Sequence, residues 1–262
     1  MNARPVGDSV KSASRVLEII ELLTNESGGA TFGEICESLK IPKSSAHGLL
    51  GTLTEKGFLT LDAQSRTYHI GVRLWEAGQT YLQSFDLPTL AMPFLEEVRN
   101  QLHETVQLAI LDGIDNVYIA KMDSDHQLVL QSRVGARLPA YATGLGKVLL
   151  SGLSDEVIKQ RFKGVVLKSF TENSIQDLEQ LLVVVREVRK NGYGTDEGEY
   201  TPGVICVATP VYGHSGDVVA AMSVSVPDVR STVKSRAQAL AALLEQSKAL
   251  SARMGYRILV DS

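Results

Sequence analysis

The stretch TGLGKVLL, residues 143–150, has the make-up of an anion cradle. Thr143 is placed to cap a helix whose first residues, Gly144, Leu145 and Gly146, present main-chain amides that no intrahelical carbonyl satisfies. Such amides suit a carboxylate; the plainer reading is a tight helix start with no ligand. It is not a Walker loop, which needs glycine where Tyr141 stands and serine or threonine where Val148 stands. Ser223 and Ser225 lie two residues apart, so on a strand both hydroxyls face one side. Cys206, in an apolar run, reads as a buried structural cysteine or, with a histidine and Asp196, as part of a nucleophilic set. Asp196 is otherwise a turn carboxylate. Tyr141, Tyr193 and Tyr200 could stack on an aromatic ring or simply pack. The five histidines (47, 69, 103, 126 and 214) are scattered, and G-x-S-x-G, H-E-x-x-H and paired Cys/His spacings are missing. Catalysis is therefore disfavoured. Cys36 and Cys206 lie far apart without a C-x-x-C pattern, which argues against structural zinc and for a reducing cytoplasm. Neither a metal nor a cofactor is expected.

A second set of residues could do recognition rather than reaction. IPKSSAHGLLGTL, residues 41–53, reads as a short helix that carries Gly48 and Gly51. Each interior glycine costs roughly 0.5–1 kcal/mol relative to alanine. Ala46, Leu49, Leu50 and Leu53 share one face, the core side. Lys43, Ser44, His47, Gly48, Gly51 and Thr54 are left facing outward, a face that a DNA major groove can accept. Ser44 and Ser45 can bond phosphates or base edges, Lys43 can neutralise phosphate, and His47 can meet a base edge or be an ordinary exposed histidine. Arg66, in the turn DAQSR, is placed to reach a flanking groove or phosphate, or is a plain turn charge.

The elements that must position these groups can be read from periodicity. The chain has 262 residues, 44% hydrophobic and 21% charged, with mean hydropathy +0.02, a net charge of −4 and a pI near 5.8. Any DNA contact must come from a local patch. No run of 18 apolar residues marks a membrane span, and the polar start lacks a secretory core. SASRVLEIIELLT sets Val16, Leu17, Ile20 and Leu23 on one stripe, with Ser12 or Ser14 as N-cap. Thr31 and Glu34 have capping-box spacing, and Ile35 and Leu39 face inward. The helix KSSAHGLLGTLTEKG ends at Gly57 as its C-cap, and FLTLDAQSRTYHI reads as a β-hairpin. Three short helices and a hairpin spell a winged helix-turn-helix; a helical subdomain with no nucleic-acid role fits the same pattern. GVRLWEAGQTYLQSF continues as an amphipathic helix, with Leu74, Ala77, Tyr81 and Phe85 on one side, suited to packing on its own domain or, the favoured reading, to dimer contact. From Pro88 onward helices alternate with strands joined by short turns, including a third strand at QLVLQSRV, residues 127–134. This favours an antiparallel sheet flanked by helices, an α+β sensor domain. The expected organisation is 9–71 winged helix-turn-helix, 72–86 linker helix and 87–262 effector-binding domain.

SASRVLEIIELLT, FGEICESLKIPKSSAHGLLGTLTEKGFL, YHIGVRLWEAG, AYATGLGKVLLSG, NGYGTDEGEYTPGVICVATPVY and VVAAMSVSVP, in this order and spacing, together resemble the IclR-type bacterial transcriptional regulators. The resemblance covers nearly the whole chain. It implies a GAF-like effector domain behind the DNA-binding head, and a homodimer or dimer of dimers on a palindromic double-stranded operator. It also implies a small-molecule effector, an organic or aromatic acid, and most often repression of a catabolic operon, with activation as the alternative. By resemblance, the effector pocket is lined by Gly144, Leu145, Gly146, Asp196, Cys206, Ser223 and Ser225. In that reading the hydroxyls and amides take a carboxylate, and Asp196 takes a ligand hydroxyl or amine. Two positions depart from the family pattern. Gly48 replaces a common arginine, which should lower affinity and its salt slope. Lys40 stands where the turn commonly has glycine and should be strained if its φ is positive. An enzyme using Cys206 and Asp196, and a pure assembly protein with no ligand response, are the competing classes.

Overall fold

The computed structural model describes residues 10–26, 28–84, 87–126 and 132–256. The chain divides into two compact units, 1–85 and 86–262. In the first, α1 (Lys11–Asn25) is followed by β1 (Ala30–Thr31), α2 (Phe32–Ser38), α3 (Lys43–Glu55), β2 (Leu59–Leu61), β3 (Thr67–Ile70) and α4 (Val72–Ser84). Ile19, Leu23, Ile35, Ile41, Ala46, Leu50, Leu53 and Leu59 form its core. Thr31 and Glu34 make the capping box at the start of α2. Glu34 Oε2 accepts from the Thr31 amide at 2.7 Å, a bond that lowers the Glu34 pKa. The C-cap of α3 is Lys56 rather than Gly57, which stands one residue beyond it with φ +75°, in the left-handed region that glycine enters at no steric cost.

Further local expectations are corrected. The N-cap of α1 is Val10, not Ser12 or Ser14, which lie inside the helix. Its buried stripe runs through Ile19 and Leu23, and Leu17 is 60% exposed. The expected hairpin forms from β2 and β3, and β1 joins it in a sheet of order β1-β3-β2, because Ala30 and Thr31 pair with Tyr68 and Thr67. On α4, Leu74 is half-buried, Ala77 is exposed and Trp75 is 63% exposed. The side chains of Tyr81 and Phe85 lie outside the described residues, as do positions 85 and 86 of the expected linker.

The second unit is an antiparallel six-stranded sheet of order β6-β5-β4-β9-β8-β7 with helices on both faces. Its strands are β4 (Thr105–Asp112), β5 (Asp115–Met122), β6 (Arg137–Pro139), β7 (Gly194–Glu197), β8 (Val204–Tyr212) and β9 (Val218–Pro227). Its helices are α5 (Leu87–Leu102), α6 (Gly144–Ser151), α7 (Asp155–Arg161), α8 (Leu178–Asn191) and α9 (Val233–Arg253). Of the strand expected at 127–134, residues 127–131 lie outside the described residues and 132–134 are not strand; the edge strand is Arg137–Pro139. Residue parity sorts the sheet's side chains. Val106, Leu108, Ala220, Met222 and Val224 pack under α5 and α9. Ala109, Ala208 and Ala221 pack under Leu145, Val148 and Leu149 of α6, and Gln107, Ser223 and Ser225 open into a cavity with Leu145.

Candidate functional site

In the first unit, α3 presents Lys43, Ser44, Ser45, His47, Gly48 and Gly51 as exposed residues, while Ala46, Leu50 and Leu53 are buried. Thr54 is half-buried rather than outward. The His47 ring meets Phe32 of α2 edge-on, centroids 6.4 Å apart. A Cβ built at Gly48 or Gly51 has no heavy atom within 4 Å, so nothing within the unit requires glycine there. Thr52 Oγ1 donates to Gly48 O at 2.9 Å. Arg66 is exposed in the wing turn with φ +56°, after a turn in which Asp62 Oδ1 accepts from the amides of Gln64 and Ser65. Lys40 has φ +50°, in the region that costs residues with a Cβ about 1–2 kcal/mol.

In the second unit a cavity of about 940 Å³ opens on the α6 face of the sheet. Register explains its wall. Asp196 pairs with Cys206, Cys206 with Ser225 and Ser225 with Thr105; one row over, Ser223 pairs with Gln107 and Gln107 with Lys121. The cavity thus has an acid at one end, on β7, and a cation at the other, on β5. These lie four strand spacings apart, on the order of 19 Å along a flat sheet. Ser132, Arg133, Tyr118, Thr143, Gly144, Leu145 and Tyr200 are also part of the lining.

Of the residues expected in the pocket, Gly144, Leu145, Asp196, Cys206, Ser223 and Ser225 are brought together and Gly146 is not. The Gly146 amide donates to Thr143 Oγ1 at 3.0 Å, so it is satisfied by the cap. A Cβ there would lie 2.2 Å from Ala140 backbone atoms, so this glycine serves close packing of the helix. Thr143 Oγ1 in turn donates to Asn116 Oδ1 at 2.7 Å. Tyr141 packs against Phe162 and Phe170 and donates to Lys168 O at 2.9 Å, away from the cavity. Tyr193 packs against the α5–α9 core.

The electrostatics are those of binding. Burial pushes the Asp196 carboxyl up to about 6, opposed by the Glu199 amide, which donates to Oδ1 at 2.7 Å, and by Lys147. Lys147 and Glu199 form a buried ion pair just behind this residue. Burial, reinforced by Asp196, pushes the Cys206 thiol up to about 12, the reverse of what a nucleophile needs. Among the described residues no histidine lines the cavity. The Tyr118 hydroxyl is likewise raised by burial. Inspection of the sequence missed Gln107, Tyr118, Lys121 and Arg133. Gln107 was detectable only as the one polar residue in the run VQLAIL.

A winged helix-turn-helix and a sensor domain with a polar cavity on one chain define a DNA-binding transcriptional regulator. The IclR helix-turn-helix domain matches residues 12–63, and the bacterial transcriptional regulator IclR C-terminal domain matches residues 79–252. The chain belongs to the IclR family. It is 36% identical to the HTH-type transcriptional regulator KdgR of Escherichia coli over 250 residues, 95% of this chain and 94% of that one. It is 31% identical to the HTH-type transcriptional repressor AllR of Escherichia coli over 231 residues, 88% of this chain and 85% of that one. The crystal structure of the Thermotoga maritima IclR superposes with a TM-score of 0.72 at 29% identity, covering 94% of this chain and 99% of that chain.

Proposed function

We propose that this regulator is a repressor of a catabolic operon, released from or fixed on a palindromic operator by a small organic or aromatic acid. Residues 9–71 bind DNA, 72–86 link, and 87–262 bind the effector. The observation that carries this is the cavity, where two amides at a helix start share the lining with an acid and a wall of small polar side chains. Gly144 and Leu145 precede the first intrahelical bond, so their amides are free to receive a carboxylate. Lys43, Ser44, Ser45, His47 and Arg66 make the DNA contacts, with Gly48 and Gly51 allowing the helix backbone to approach. The protein works in the cytoplasm as a homodimer or dimer of dimers, using the exposed face of α4. Binding of the acid shifts the balance between two placements of the paired heads, because it binds one placement better.

The relative named as a repressor favours repression over activation. The test is operator retention of the full chain on the DNA flanking its own gene, with and without each acid that raises its melting temperature. Acid-dependent change in retention is expected. Equal retention with every acid that binds would sink the proposal.

A further inference from the structure

The carboxylate reading leaves the serine wall without a partner of the right polarity. Gln107 is buried on β4, opposite Ser223. Its Oε1 accepts from Ser223 Oγ and from Ser225 Oγ, each at 3.0 Å, and its Nε2 donates to Ser132 Oγ at 3.2 Å. A serine hydroxyl has one proton and two lone pairs. Both protons are committed to the same amide oxygen, so what the two serines turn to the cavity is lone pairs. Cys206 Sγ lies 3.1 Å from Ser225 Oγ, and with the serine proton already given to Gln107 the thiol is the donor there. One strand further, Asp196 adds a carboxyl whose Oδ1 already receives the Glu199 amide. A carboxylate laid on this wall would face lone pairs and a like charge, whereas a hydroxyl would find acceptors. The donors of the cavity are elsewhere, at the Gly144 and Leu145 amides, while Lys121 is held by Asp123 at 2.6 Å and by the Ser132 carbonyl at 2.7 Å.

We propose that Gln107 is a positioning residue that fixes Ser223 and Ser225 as acceptors. The effector it selects is a hydroxylated carboxylic acid, its hydroxyls on the Ser223–Ser225–Asp196 wall and its carboxylate at the start of α6. This rests on the cavity being the effector site. Turning the carboxamide over would make Nε2 the donor to both serines and reverse the preference, so the choice between matched acids reads the orientation directly.

The experiment is calorimetric titration of the full chain with three pairs: lactate and propionate, L-threonate and butyrate, 4-hydroxybenzoate and benzoate. At least one hydroxylated acid should bind about tenfold or more tightly than its partner, the worth of one or two net hydrogen bonds. In Gln107→Met, which keeps the volume and removes the acceptor, that ratio should fall below about threefold. Ser223→Ala with Ser225→Ala, which removes the wall and spares Gln107, should give the same loss. Tighter or equal binding of the plain acids overturns the polarity assignment and leaves the effector site standing. An unchanged ratio in Gln107→Met also overturns it. Failure of all six acids overturns both.

Discussion

Asp196→Asn tests how the cavity stores electrostatic cost. Asp196 is buried, and burial, reinforced by Glu199 and Glu197 against the Glu199 amide and Lys147, raises its carboxyl from 3.8 to about 6. In the pH window between those values the folded chain holds a proton that the unfolded chain has released. Stability therefore falls as pH rises through that window, and it is level below 3.8, where both states are protonated. The difference between about 6 and 3.8, at about 1.4 kcal/mol for each pH unit, is about 3 kcal/mol of destabilisation above pH 7. Asparagine keeps the oxygen that accepts the Glu199 amide and has no proton to lose. The variant should match the parent near pH 4 and exceed it by about 3 kcal/mol near pH 8. For a unit of this size that is about 6–12 °C in melting temperature. Scanning calorimetry across pH 4 to 8 measures both. A gap of the same size at both ends would refute the electrostatic account and assign the difference to packing.

Lys147→Met should destabilise the second unit by about 3–5 kcal/mol, because it leaves Glu199 buried and unpaired. Adding Glu199→Leu should recover most of that loss in urea denaturation, since an apolar pair of similar volume replaces a desolvated one. Lys40→Gly should raise the melting temperature of the first unit, relieving a φ of +50° worth about 1 kcal/mol. Gly48→Ala should stabilise the free protein by about 0.5–1 kcal/mol, since its Cβ meets nothing within 4 Å. If α3 meets DNA as proposed, gel retardation should show the same variant binding its operator more weakly, because the methyl group would intrude on the approach of the helix backbone.

The elements were largely legible, because local rules govern them. The capping box at Thr31 and Glu34 and the left-handed Gly57 need only neighbours within one turn. The shared side of Ser223 and Ser225 follows from strand parity alone. What was not legible depends on partners distant in sequence. Gln107 and Ser223 are 116 positions apart, and Lys147 and Glu199 are 52 apart. No periodicity marks a polar residue whose partner arrives on another strand. Gly146 misled for a related reason: a glycine beside two cavity-lining residues looks like a third, yet its missing side chain makes room for Ala140. Leu17 failed because a helix stripe about 100° wide admits two phases, and only the packing of α1 on its neighbours chose between them.

The empty space around Gly48 and Gly51 bears on how such a protein changes over time. The buried face of α3 holds the unit together through Ala46, Leu50 and Leu53, and the exposed face contributes little to that task. Side chains can be added at 48 and 51 without disturbing the fold, so on the proposed DNA-reading role of this face mutations there can alter target preference at no penalty in stability. A duplicated gene could acquire a new operator by substitutions at those two positions while its sensor domain stays as it was.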